Sequence, residues 1–442
     1  MKRVTAMVIG LFVLSVAAVF GSGQQGTGGG GNQSSKVVFW TSHGPPDNGV
    51  LQKIVETYNA TNPKVQVEFV QVPGSETDVT SLMTAVRGGT GPDVYMLDRF
   101  TVAQRASDGL LEDLTADLQR LDPNLAKKYL PFAWEEAQYR GKTYGLPFDT
   151  DTRGLFYNKQ MLRDAGIDPA ELDMKNGPIT LDRLREIARA VDTKDDQGNY
   201  TKIGFIPQVE QGWHYTWGYL FGGSFADLAA GKVTPTHPGI VAGFQYLYDY
   251  NKEMGVQQVQ SFISSYLPPN NPPQNHPFIT GHLAMMITGD WHINTMRTYA
   301  ADVDYDITYI PVAKAGDKPT TWAGGWSFVV PTGSKKKEAA VAFIHWATGA
   351  GGQRIYTKDS GHCPTLLAIA NDESIYEPKQ NYFRQALSFT KSRPPLPVGA
   401  LYWDALSTAQ DMVVQNVKTP QEALQQAEQQ TQPQLNKFLP LK

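Results

Sequence analysis

Cysteine is nearly absent from this sequence: Cys363 is the only one. That excludes a disulfide framework within the chain, and it leaves no amino-terminal cysteine to carry a lipid. Charge of either sign is scarce in the balance, because 39 Lys and Arg against 43 Asp and Glu leave a net charge of -4. So small an acidic excess argues against nucleic acid or anionic lipid as a partner and favours a neutral one. No repeat of solenoid period is visible, and no second long apolar run follows the first. A fold without disulfides rests on a large apolar core. The 442 residues are enough for two or three units of roughly 150 residues each.

The one long apolar run opens the chain. Lys2 and Arg3 precede AMVIGLFVLSVAAVF, and Gly21, Ser22 and Gly23 follow it. This is the pattern of a secretory signal peptide over residues 1–23, the run being shorter than the roughly 20 residues of a spanning helix. An uncleaved anchor is the alternative. Residues 24–35, QQGTGGGGNQSS, read as a flexible linker. Together they predict a periplasmic or extracytoplasmic protein, secreted without a lipobox cysteine.

After the linker, strand-like and helix-like patterns alternate. Residues 36–40 (KVVFW), 65–72 and 94–97 read as strands, with amphipathic stretches at 50–58 and 79–86 between them. That is repeated β-α-β, hence an α/β unit with a largely parallel sheet. Further on, Thr180 is placed to cap a helix running to residue 191, and residues 203–207, 284–288 and 305–311 read as strands. Helices are expected over 213–220, 241–254, 334–348 and much of 397–439. The loop DTKDDQGNY at 192–200 lacks the glutamate and spacing of a calcium loop.

Between the strand-like residues 144–148 and 155–157, Asp149, Thr150, Asp151, Thr152 and Arg153 crowd three charges and two hydroxyls into one connection. No core tolerates these without partners. The segment reads either as a hinge facing a cleft or as a plain polar turn. Residues 322–331, WAGGWSFVVP, set the small residues Gly324 and Gly325 between Trp322 and Trp326, as a second crossing between units would.

Aromatics beside polar groups recur along the chain. Trp40 lies near Ser42, His43 and Asp47, Trp213 and Trp217 flank His214, Asp290 precedes Trp291, and Trp403 precedes Asp404. Sugars call for that mixture, since a pyranose offers an apolar C–H face to an indole while its hydroxyls need planar charged partners such as Asp and Arg. Each tryptophan has core packing as its simpler reading.

Several blocks in a specific order carry a resemblance. They are GPDVYMLDRF (91–100), YGLPF and LFYNKQMLRDAGI (144–167), TWGYLFGG (216–223), ITGDWHI (287–293), GGWSFVVP (324–331) and ALYWDAL (400–406). The chain resembles the extracellular solute-binding proteins of family 1, the maltose-binding-protein-like receptors of ABC importers. The resemblance implies two α/β lobes, an N-lobe of residues 36–149 and 326–370 and a C-lobe of 150–325 and 371–442, closing on a ligand by a hinge. It implies a carbohydrate ligand, most simply a di- or oligosaccharide, an ABC-transporter permease as partner, a monomer, no cofactor and no catalysis.

By the same resemblance Asp98 and Arg99 form a hydroxyl clamp on one lobe. Asp151, Trp213, Trp291 and Trp403 bind from the other, with His214 competing with Trp213 for the same contact. Ser42, His43 and Asp47 stand in the first ligand-facing loop, which differs from that of maltose-binding proteins. Three rival readings remain. A glycerol-phosphate receptor would need several cleft cations, for which Arg99 and Arg153 are the hinge-region candidates. A glycoside hydrolase would pair Asp149 with Asp151 or Asp290. A metal receptor would build on His362 and Cys363, for which a buried structural cysteine is the simpler account.

Overall fold

Residues 35–441 are described by the structure, a computed structural model; the signal peptide expected over 1–23 and all but the last residue of the linker expected over 24–35 lie outside the described residues. Two five-stranded sheets organise the rest. In the first, Ser35–Thr41 pairs in parallel with Val65–Gln71 on one side and Val94–Asp98 on the other. Trp326–Val329 then joins antiparallel, followed by Gly145–Pro147. In the second, Tyr200–Phe205 and Leu283–Gly289 are parallel, whereas Arg153–Asn158, Tyr305–Thr308 and Thr193–Lys194 add antiparallel.

The three strands expected within residues 36–97 are parallel, and the later strands make both sheets mixed. Two of the antiparallel strands, Arg153–Asn158 and Trp326–Val329, begin directly after a crossing, whereas Thr193–Lys194 is joined to Tyr200–Phe205 by the short loop at 195–199.

Strand alternation sorts the core. Phe39, Met96 and Phe328 point to one face of the first sheet, and Tyr95, Leu97 and Val329 to the other. In the second sheet Leu155, Met285 and Ile287 pack on one side, with Phe156, Met286 and Ile307 opposite. Helices cover these apolar faces, which is the period-two pattern of sheets buried on both sides. Thr180 caps Leu181–Val191 by accepting from the Arg183 amide. The final helices, Gly399–Val414 and Pro420–Leu435, complete the core beside the second sheet.

Three segments meet between the sheets. Asp149–Thr150 pairs antiparallel with Cys363–Pro364, and Asp151 bridges to Gly324. Arg99 ties two of them from below. Its guanidinium is fully buried, donates from Nε to Glu136 Oε2 at 2.8 Å, and reaches the carbonyls of Asp149 and Gly324. Glycine at 325 is obligatory here. Its φ is +118°, and a Cβ would stand 2.5 Å from both Arg99 Nη1 and the Asp149 carbonyl.

Candidate ligand-binding site

Each sheet presents one edge to the space between them. The strands Ser35–Thr41, Val65–Gln71 and Val94–Asp98 end there, delivering Ser42 and His43, then Gly74 to Glu76, then Asp98; Trp326 begins its antiparallel strand at the same edge. From the second sheet the ends of Tyr200–Phe205 and Leu283–Gly289 lead to Gln211, Trp213 and Trp291, and Arg153 opens its strand beside them. Loops beyond the carboxyl ends of parallel strands are where open α/β sheets bind ligands.

The cavity so formed has a volume of about 360 Å³. That is near the small end of the roughly 300–1,000 Å³ usual for small-molecule sites. Five indoles wall it: Trp213, Trp291, Trp322, Trp326 and Trp403. Trp403 is their hub, with ring centroids 5.6 Å from Trp213 and 6.2 Å from Trp322. Trp322 Nε1 donates to Thr216 Oγ1 at 2.8 Å, which fixes its plane. Trp291 folds back over Gly289, where a Cβ would stand 1.9 Å from the ring.

Both arginines in the wall are matched within it. Arg393 Nη2 and Nη1 donate to Asp98 Oδ1 and Oδ2 at 2.6 and 3.2 Å, and both residues are buried. Burial pushes the Asp98 carboxyl up to about 7, while Asp98 and Glu136 hold Arg393 above its ordinary value against burial. The two tendencies oppose each other. The pair is ionised, because a guanidinium does not shed its proton and Asp98 is its partner. Arg153 is likewise bound to Asp151 and to Gln211 Oε1, and its guanidinium lies 3.4 Å from the centre of the Trp322 ring. Asp151 also accepts from the Gly324 amide at 2.6 Å. Burial lowers His43 to about 4, so it is neutral at pH 7.

Of the residues singled out in the sequence, Ser42, His43, Asp47, Asp98, Asp151, Trp213, Trp291, Gly324, Gly325, Trp326 and Trp403 come together around the cavity. Six do not line it. Trp40 packs on the side of the first sheet that carries Val79 and Leu82. Trp217 is wholly buried, its Nε1 donating to the Gly212 carbonyl at 3.0 Å. His214 sits behind the wall, 4.6 Å from the Trp403 ring. Arg99 braces the crossings instead of clamping a ligand, and the arginine facing Asp98 is Arg393. Asp149 accepts from the Trp326 amide at 2.6 Å, and Asp290 from the Cys363 amide at 2.9 Å, so one oxygen of each carboxylate is engaged by backbone.

Glu76, Gln211 and Arg393 line the cavity without having been anticipated, and Arg153, Trp322 and His362 line it although they were given other roles. Arg393 had the faintest signal, in the proline-rich stretch SRPPLP.

Residues 53–381 match a family model described as bacterial extracellular solute-binding protein. The chain is 26% identical over 392 residues to the maltotriose-binding protein of Pyrococcus abyssi, spanning 87% of this chain and 79% of that one. It is 23% identical over 438 residues to the galactooligosaccharide-binding protein of Bacillus subtilis, spanning 94% and 92%. Among solved structures, CpMnBP1 with mannobiose bound superposes with a TM-score of 0.80 at 23% identity, over 90% of this chain and 100% of that chain. With two mixed sheets and a cavity between them, the chain belongs to the bacterial extracellular solute-binding proteins and has their two-lobed α/β fold.

Proposed function

We propose that this protein is the substrate-binding component of an ABC importer for a neutral carbohydrate of two or a few rings, held in the cavity between the lobes and handed to a membrane permease. The observation that carries this reading is a wall of five indoles in which each arginine is already engaged by a carboxylate. Indoles take the apolar faces of sugar rings, and neutralised Asp–Arg pairs retain donors and acceptors for hydroxyls. The names of the two relatives, which bind oligosaccharides, support it as well.

Asp98 and Asp151 with their arginines are the proposed hydroxyl partners, and Trp213, Trp291 and Trp403 the stacking surfaces. The proposed lobe boundaries are the crossings near residues 149, 325 and 370, and the proposed location is outside the cytoplasm. A phosphate ester fits less well, since no lysine lines the cavity and its arginines are taken. The hydrolase pairing of Asp149 with Asp151 or Asp290 fits less well, because of these three only Asp151 lines the cavity and it is bound to Arg153.

A thermal-shift screen of the mature protein tests this, as a ligand that binds only the folded form stabilises it by about 2.7 kcal/mol at a hundredfold excess over Kd. Mono-, di- and oligosaccharides would be compared with glycerol phosphates. The expected result is a rise in Tm with one glycan family. A rise with glycerol 3-phosphate alone would overturn the carbohydrate assignment.

A further inference from the structure

At the cavity wall three other chain segments converge on His362. Its Nε2 lies 3.4 Å from Asp47 Oδ2, and its Nδ1 lies 3.5 Å from Asp149 Oδ2 and 3.6 Å from Asp290 Oδ1. Asp47 opens the helix Asp47–Thr61 beside the first sheet, and Asp290 follows the strand Leu283–Gly289 of the second. Asp149 belongs to the first crossing and His362 to the third. All but Asp47 are at least nine-tenths buried.

The other carboxylate oxygens are accounted for. Asp47 Oδ1 accepts from Asn294 Nδ2 at 3.0 Å, Asp149 Oδ1 from the Trp326 amide, and Asp290 Oδ2 from the Cys363 amide. Left over are Asp149 Oδ2, Asp290 Oδ1 and His362 Nδ1, three buried atoms with no hydrogen-bond partner, all turned toward one another. Buried polar atoms are rarely left so.

A neutral imidazole carries a single N–H. Whichever nitrogen bore it, the other would aim a lone pair at a buried carboxylate. An imidazolium donates on both sides and answers all three carboxylates with one charge. Among the described residues no group of three His, Cys, Asp or Glu is arranged to hold a metal ion, so a proton is the cation that fits. We propose that His362 is a proton-binding site, kept as an imidazolium that ties Asp47 of the first lobe to Asp290 of the second through the crossing at Asp149.

The remaining groups around it are few. The rings of Tyr356 and Trp291 stack on it at 5.0 and 5.8 Å. His43, whose protonation burial and the nearby His362 both disfavour, is neutral and adds no charge, while Asp151, paired with Arg153, lies farther along the first crossing; Cys363 is its neighbour in sequence. Burial works against the imidazolium, but Asp47, Asp290 and Asp149 outweigh it and raise the group from 6.5 to about 10. The sign follows from linkage. On the histidine's side the stabilisation is complete below pH 6.5 and is lost as pH rises through about 10, while burial raises its partners Asp149 to about 6 and Asp290 to about 7, so that they take up protons in turn at lower pH.

The inference is independent of which solute is bound, and its test needs none. In ¹⁵N-histidine-labelled protein without ligand, both His362 nitrogens are expected to remain protonated at pH 8; a neutral tautomer there, or titration near the ordinary value of about 6.5, overturns the proposal. The second measurement is Tm against pH from 7.5 to 10 for wild type, His362→Gln and His362→Lys. Cys363 and the buried tyrosines contribute equally to all three, so the differences report residue 362. His362→Gln is expected to melt lower at pH 7.5 and to converge on wild type toward pH 10, and His362→Lys to recover part of the loss by keeping a cation. Parallel curves for wild type and His362→Gln sink the idea. Should the glutamine variant fail to fold, the wild-type spectrum still decides. A failed glycan screen would leave either result standing.

Discussion

The two sides of the cavity are made of different materials. The first sheet's edge contributes mostly short polar residues, Ser42, His43, Asp47, Ser75, Glu76 and Asp98, with Trp326 as its one indole. The second sheet and the helices and strand beside it contribute Trp213, Trp291, Trp322 and Trp403, with Arg153, Gln211 and Arg393. A flat apolar surface attracts a ring without specifying its hydroxyls, whereas a polar edge specifies but attracts weakly from water. On the proposed function, a ligand reached by both sides would gain differential affinity for a closed form, which is what would shift a balance between open and closed.

The Asp98–Arg393 pair joins the two sides, so breaking it has the largest expected effect. Asp98→Ala leaves a buried guanidinium without its carboxylate and should cost about 3–5 kcal/mol, read by urea unfolding without ligand. Arg393→Met should cost less, because the abandoned carboxyl can take up a proton. Burial holds Asp98 up, toward about 7 even with Arg393 present. The variant is therefore expected to lie closest to wild type at pH 4 to 5 and to fall away as pH rises. Equal costs at all pH values would refute the asymmetry.

On the aromatic side, Trp291→Ala should weaken binding by about 2 kcal/mol, roughly thirtyfold in Kd by calorimetry with the glycan that the screen finds. An unchanged Kd would reduce Trp291 to packing. The smallest effect belongs to the polar edge, where Ser42→Ala should cost about 0.5–1.5 kcal/mol of affinity for one lost neutral hydrogen bond and should alter relative affinities among glycans more than Trp291→Ala does. If the tryptophan variant changes the ranking and the serine variant does not, the division of labour between the sides is reversed.

Local patterns carried much of the fold. KVVFW and VYML read as strands, and the structure has them, slightly longer, as Ser35–Thr41 and Val94–Asp98. Strand direction was hidden, because the partners of Trp326–Val329 are Val94–Asp98 and Gly145–Pro147, far away in the chain. At the site, adjacency misled in one place. Asp98 and Arg99 are neighbours, but the first ends a strand at the cavity and the second turns beneath it to Glu136. The aromatic run at 213–219 hid which ring faces out; as the residue preceding His214–Leu220, Trp213 reaches the cavity while Trp217, one turn on, enters the core. Arg393 comes from nearly 300 positions beyond Asp98, at a separation of 295, and no local pattern announces such a pair.

Arg99 has a mechanical consequence. It grips the carbonyls of Asp149 and Gly324 together, and the strand pair of Asp149–Thr150 with Cys363–Pro364 binds the third segment to the first. Ligaments laced side by side can share a bend but cannot slip past one another without tearing their lacing. The three crossing segments are therefore held to one another as a single bundle, so that a bend in any one of them would have to be shared by the other two.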